Sequence, residues 1–179
     1  MESIIILFRG INVGGNNIIQ MKDLTGLLLK LGLKNIKTYI QSGNVIAYAG
    51  DADTGHIRTA VTSAVMKERG FEPKIIILQK DEFEAVMKNN PFPEAESDPK
   101  ALHIGFLSEQ PDNPDIKKMD AVKKETERYR IIGKAFYLYA PEGIGRSKLA
   151  SESERLLGVQ LTDRNWRTVK KIRDMLADT

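Results

Sequence analysis

Three short segments carry polar side chains that a fold alone does not demand. RGINVGGNN, residues 9–17, places three glycines and three asparagines behind Arg9. Gly10, Gly14 and Gly15 open backbone angles closed to other residues, and Asn12, Asn16 and Asn17 tolerate the left-handed region. Such a loop between a strand and a helix can turn several N–H groups toward one anion. It is not a Walker A loop, since no Gly-Lys-Ser/Thr follows, and it is not G-x-G-x-x-G. An ordinary Gly/Asn-rich connection is the structural alternative. The second segment, QSGN at residues 41–44, offers the amides of Gln41 and Asn44. Ser42 lacks the G-x-S-x-G setting of a nucleophile, and no histidine is near it in sequence. A hairpin turn explains QSGN as well.

The third segment runs from PEGIGRSK to TDRNWRTVKK. After a bend between Gly143 and Gly145, Arg146, Ser147 and Lys148 supply two cations and a hydroxyl. Downstream, Thr162 or Asp163 is placed to cap a terminal helix over residues 164–176. That helix should bury Trp166, Val169, Ile172 and Leu176 and expose Arg164, Arg167, Lys171 and Asp174. Arg164 and Arg167, three apart in its first turn, can then converge on one anion. Trp166, the only tryptophan, reads as a core anchor, with a stacking platform as the alternative.

Composition narrows the chemistry further. The 179 residues include no cysteine and two histidines, which removes thiol catalysis, iron–sulfur clusters and thiolate zinc sites. His56, near a helix start, and His103, in an apolar strand, both read as structural. The polar set is rich in cations and amides and has no carboxylate cluster, so no metal and no cofactor are expected. The apolar run at residues 4–8 is too short for an export signal or a membrane span and follows an acidic residue, so a cytoplasmic location is expected. Of the net charge of +3, the whole excess lies in residues 145–179, which hold 8 basic and 5 acidic residues. That excess reads as a solvated helix face or as an anion-binding patch.

The elements that must position these residues alternate regularly. Residues 4–8 form an apolar β-branched strand, and Met21, Leu24, Leu27, Leu28 and Leu31 recur at helical spacing. Strands at 36–41 and Asn44–Ala49 meet at Ser42-Gly43. A second helix, preceded by residues 51–54, buries Ile57, Val61, Ala64 and Val65, and a strand follows at 74–78. That is βαββαβ, the ferredoxin-like order. A helix at 81–87 and the proline-rich, acidic stretch 90–99 come next. The order then restarts with a strand at 101–107, a helix at Ile116–Val122 and a hairpin of Arg128–Ile132 with 135–140. Ser151-x-x-Glu154 is read as a capping box at or near the start of a helix that ends at Gly158, and 159–161 as a candidate last strand. Gly32, Gly70 and Gly158 each stop a helix in the same way. The expectation is an α+β chain of two ferredoxin-like subdomains packed together with an added C-terminal helix. Subdomain one covers 1–79, a helix and linker 80–100, and subdomain two 101–179.

RGINVGGNN, TYIQSGNV, GIGRSK and RNWRTVKK, in this order and spacing, resemble the bacterial family catalogued as domain of unknown function 1697. The likeness runs from Ile6 to about Ile172 and implies a duplicated α+β fold, without an activity, substrate or catalytic residue. It selects the same three segments. The expected ligand-binding set is therefore Arg9, Asn12, Gly14, Gly15, Asn16, Asn17, Gln41, Asn44, Arg146, Ser147, Lys148, Arg164 and Arg167, lining a cleft between the halves. The leading reading is binding of an anionic small molecule, phosphorylated or carboxylated, or of a nucleotide. Nucleic-acid binding is the second reading. SGNVIAY has a remote likeness to the third-strand motif of RNA-recognition domains but lacks its stacking aromatics. A structural or oligomerising module is the third.

Overall fold

The chain lays down strand, helix, strand, strand, helix, strand, and then repeats that order. The computed structural model describes residues 2–50 and 53–178. The first set is β1 (Glu2–Arg9), α1 (Met21–Lys30), β2 (Lys34–Tyr39), β3 (Asn44–Ala49), α2 (Thr54–Arg69) and β4 (Lys74–Gln79). Helix α3 (Lys80–Lys88) and a 3-10 turn at Pro93–Ser97 come next. The second set is β5 (Leu102–Leu107), α4 (Ile116–Val122), β6 (Arg128–Ile132), β7 (Ala135–Tyr139), α5 (Lys148–Leu157) and β8 (Leu161–Asn165). Helix α6 (Trp166–Ala177) ends the chain. The strand orders are β2-β3-β1-β4 and β6-β7-β5-β8, with every neighbour antiparallel. Each set is a ferredoxin-like βαββαβ unit.

Alternation along the central strands explains why the helices settle where they do. Ile4, Ile6 and Phe8 of β1 point to one face and pack with Leu24, Leu27 and Leu28 of α1 and Val61 and Val65 of α2. In the second unit Leu107, Phe136 and Leu138 do the same with Met119 of α4 and Leu149, Leu156 and Leu157 of α5. The opposite faces are just as apolar: Ile5 and Leu7, and Leu102, Ile104 and Phe106, are all buried. That is why both central strands read as continuous hydrophobic runs. By packing, residues Met1–Ala85 with Ile172–Thr179 form one unit and Val86–Lys171 the other.

The three glycine stops have left-handed angles, with φ of 87° at Gly32, 78° at Gly70 and 73° at Gly158. Asp53 caps α2 by accepting from the N–H groups of Gly55 and His56. Residues 51–52, the rest of the expected lead-in, lie outside the described residues. The stretch expected as a linker is ordered by its own side chains. Asn90 donates to the carbonyl of Phe92 and to Glu96, and accepts from the Phe92 N–H.

Three local expectations are overturned. Ser147, not Ser151, caps α5, accepting from Ala150 N–H at 3.0 Å. Ser151 instead donates back to the Lys148 carbonyl, and Glu154 reaches out of the helix to the Leu161 N–H. The last strand starts at Leu161, two residues later than its expected start, and runs to Asn165 because it pairs with β5 along His103–Leu107. Sheet pairing outweighs local helical propensity there. The cap of α6 is consequently Asn165, which accepts from Thr168 N–H at 3.0 Å, and neither Thr162 nor Asp163. Arg164 therefore lies on a strand, buried, and not on the exposed face of the helix.

Candidate functional site

In the first unit RGINVGGNN folds back on itself as a miniature hairpin. Val13 and Asn16 form a bridge, with the Asn16 N–H donating to the Val13 carbonyl at 3.0 Å. Gly14 and Gly15 between them have φ of 60° and 75°, the pair of positive angles that a type I′ turn requires. The asparagines close the loop. Asn12 Nδ2 donates to the carbonyls of Ile19 and Gln41, each at 2.9 Å, and its Oδ1 accepts from Ile19 N–H. Asn17 Nδ2 donates to the Gly10 carbonyl at 3.0 Å. Asn16 has one long bond, 3.4 Å, to the Gly14 carbonyl.

QSGN joins the same cluster. The Gly43 carbonyl accepts from Phe8 N–H at 2.9 Å. Asn44, buried, donates to the Tyr39 carbonyl and to Ser42 Oγ. Gln41 joins through its backbone carbonyl and leaves its side chain in solvent. Arg9 ends β1 opposite Lys74 in the sheet register, half-buried. Between Tyr39 and Gln41, Ile40 sits at φ 51°, a costly angle for a β-branched residue. The sequence-predicted residues of this unit do gather, but Asn12, Asn17 and Asn44 spend their amides on holding the loops together.

In the second unit the third segment borders a cavity of about 300 Å³ between sheet and helix. Phe136 and Leu138 of β7, Leu161 of β8 and Ile144 form its apolar wall. Ser147, Ser151 and Ser153 of the α5 side and Asp163 of β8 supply its polar atoms. A mostly apolar recess with a few placed polar groups is the usual form of a small-molecule site. Arg146 lies between two lining residues, Gly145 and Ser147, and its N–H donates to the Gly143 carbonyl at 3.2 Å. Its exposed guanidinium has no hydrogen bond or ion pair among the described residues, only the more distant charge of Glu142. Lys148 reaches Glu152 only at 3.9 Å and is mostly in solvent. Helix α5 begins at the same corner, adding the positive end of its dipole.

The two remaining arginines part company. Arg164 is 9% exposed and donates to the backbone carbonyl of Asp163, and burial lowers its pKa to about 10. Arg167 is exposed; its N–H donates to the Pro99 carbonyl. They do not form the helical pair expected from their spacing.

Sequence reading missed the pair behind Asp163. His103 Nδ1 lies 2.7 Å from Asp163 Oδ2 and Nε2 lies 2.9 Å from the Lys100 carbonyl. Both partners are acceptors, so a doubly protonated imidazole satisfies both. Burial alone would lower the His103 pKa. The hydrogen bond and charge of Asp163 outweigh it, and the net shift is upward. No sequence signal links the two, because β5 and β8 are brought together only by the sheet. A histidine whose pKa is raised by folding stabilises the fold fully below its unfolded value of about 6.5 and loses that contribution as pH rises through the folded value. Melting temperature should therefore fall on going from pH 6 to mildly alkaline pH. His103→Leu should be less stable at pH 6 and should flatten that slope. An unchanged slope in the variant would show that other groups set it.

Among the described residues no three His, Cys, Asp or Glu side chains gather as a metal site. No described helix is long and apolar enough to cross a membrane. The family model described as "Protein of unknown function (DUF1697)" matches residues 1–137. A solved structure, "conserved bacterial protein SP0830 from Streptococcus pneumoniae", is similar to the chain with a TM-score of 0.72 and 25% identity, covering 98% of both chains. No curated protein matches.

Proposed function

Because the chain belongs to the DUF1697 family, whose description carries no activity, we propose its function from its own residues: it binds a small phosphorylated or carboxylated molecule that also bears hydroxyl groups, at the α5 corner of the second unit. The observation that carries this reading is Arg146. Its exposed guanidinium has no hydrogen-bonded acceptor among the described residues, feels only the charge of Glu142, and stands beside a recess of about 300 Å³. Guanidinium suits a bidentate phosphate or carboxylate, and Lys148 and the start of α5 add positive potential. Inside the recess, serine hydroxyls and the outer oxygen of Asp163 suit the hydroxyl groups of a sugar phosphate or hydroxy acid. One oxygen of Asp163 is already engaged by His103 at 2.7 Å, and a protonated imidazole there would offset its negative charge toward an anion.

The test is a thermal-shift screen with inorganic phosphate, sugar phosphates, hydroxy acids and nucleotides. A ligand at a hundred times its Kd should add about 2.7 kcal/mol of stability. Arg146→Ala should change unliganded stability by no more than about 0.5 kcal/mol and remove the shift. If no probe shifts wild type, or the variant keeps the full shift, the reading fails. A single-stranded oligonucleotide whose binding collapses steeply with salt would favour the nucleic-acid alternative.

A further inference from the structure

A sheet edge is a row of unpaired backbone groups, and the second unit leaves one of its edges at the bottom of a groove. Strand β6 is the outer strand of its sheet and pairs only with β7 among the described residues, in unbroken register from Arg128↔Tyr139 to Ile132↔Ala135. The first unit treats its corresponding edge differently. Strand β2 breaks register between Lys34 and Lys37, and Lys37 Nζ is tied to the Asp178 carbonyl. Such irregularity blunts an edge against pairing. Strand β6 has no such irregularity.

A groove of about 510 Å³ follows β6 and takes walls from both faces of the strand. On one side stand Ile116 and Asp120 of α4, with Tyr129 donating to Asp120 at 2.7 Å. On the other side stands Phe92, over which the Arg128 guanidinium is stacked at 5.0 Å. Arg128 is stacked equally on Tyr139 and donates to Glu94 at 2.5 Å, so its plane is held before any partner arrives. Two residues on, Arg130 projects from the same face, exposed and without an acceptor among the described residues.

We propose that an extended peptide segment with alternating acidic and apolar residues adds to the open edge of β6. Its backbone continues the sheet. Its apolar side chains turn toward Ile116 and Ile131, and its carboxylates turn toward Arg128 and Arg130. A second copy of this chain fits less well: antiparallel pairing of β6 with itself sets arginines against arginines, and like charges across a pair destabilise it. Self-exclusion by these same arginines, with no partner at all, is the competing account. This inference uses other residues than the anion reading and does not depend on it.

The experiment uses the full chain and a fluorescein-labelled nine-residue peptide of alternating glutamate and valine, capped at both ends, followed by anisotropy. Saturable binding is expected, with new protection from hydrogen exchange at β6 amides. Arg130→Glu should weaken it at least tenfold and should raise affinity for the matching lysine–valine peptide. A Glu–Val peptide N-methylated at alternate residues should lose binding. Three results overturn the proposal: no saturable binding, equal binding of the N-methylated peptide, or equal binding to Arg130→Glu. Dimerisation of the Arg130→Glu chain through β6, without peptide binding by wild type, would establish self-exclusion instead.

Discussion

Replacing Trp166 with alanine should cost the fold about 3–5 kcal/mol, whereas replacing it with phenylalanine should cost about 1 kcal/mol. Trp166 opens α6 and is 3% exposed, on the stripe that also buries Val169, Ile172 and Leu176. Truncation to alanine removes a large ring and leaves a cavity. Phenylalanine keeps most of that volume and also removes a liability. The indole Nε1 is buried with no hydrogen-bond partner among the described residues, so nothing polar is lost with it and a desolvation cost is relieved. Denaturant midpoints of the two variants test both halves of the statement. A midpoint for the alanine variant close to wild type would mean that the ring is not part of the core, and the stacking role would regain its place.

Gly43→Ala should be the other large effect, about 2–5 kcal/mol, since two separate penalties combine. The residue has φ of 81°, where any side chain is strained. An added Cβ would also lie 2.7 Å from Phe8 Cβ and 2.7 Å from Ile11 Cδ1. Both neighbours are buried, and Phe8 is anchored to Gly43 by its own N–H, so neither can simply swing away. Gly26→Ala is the matched control. It sits within α1 at ordinary helical angles with nothing near its would-be Cβ, and alanine should stabilise it by about 1 kcal/mol. Thermal melts of the two variants should therefore move in opposite directions. If Gly43→Ala melts with wild type, the loop junction is looser than its contacts state.

The Gly43 contact also accounts for much of what looked like ligand-binding sequence. RGINVGGNN and QSGN were legible as loops of special backbone, and that is what they are. Their amides are directed at each other's carbonyls, as in Asn12 to Ile19 and Gln41 and Asn44 to Tyr39. Loop closure and ligand binding use the same residue types, since both need donors and tolerance of the left-handed region. Composition therefore cannot separate them. The GIGRSK segment is different. The Arg146 guanidinium has no hydrogen-bonded acceptor among the described residues, so loop closure does not account for it.

By itself the sequence determined the repeated βαββαβ order, because the periods of burial are written in it. Ile4, Ile6 and Phe8 alternate with Ile5 and Leu7, while Leu24, Leu27 and Leu28 keep helical spacing. It also determined the glycine stops and the burial of Trp166, which depend on neighbours close along the chain. Tertiary structure alone decided where β8 ends. Pairing with β5 carries Arg164 into the sheet and hands the cap of α6 to Asn165, and no local pattern announces a partner 60 residues away. The same pairing sets His103 against Asp163, and the order of strands leaves β6 open beside its groove. Periodicity is a property of one segment, but pairing and edge exposure belong to two or more. One segment read alone does not contain them.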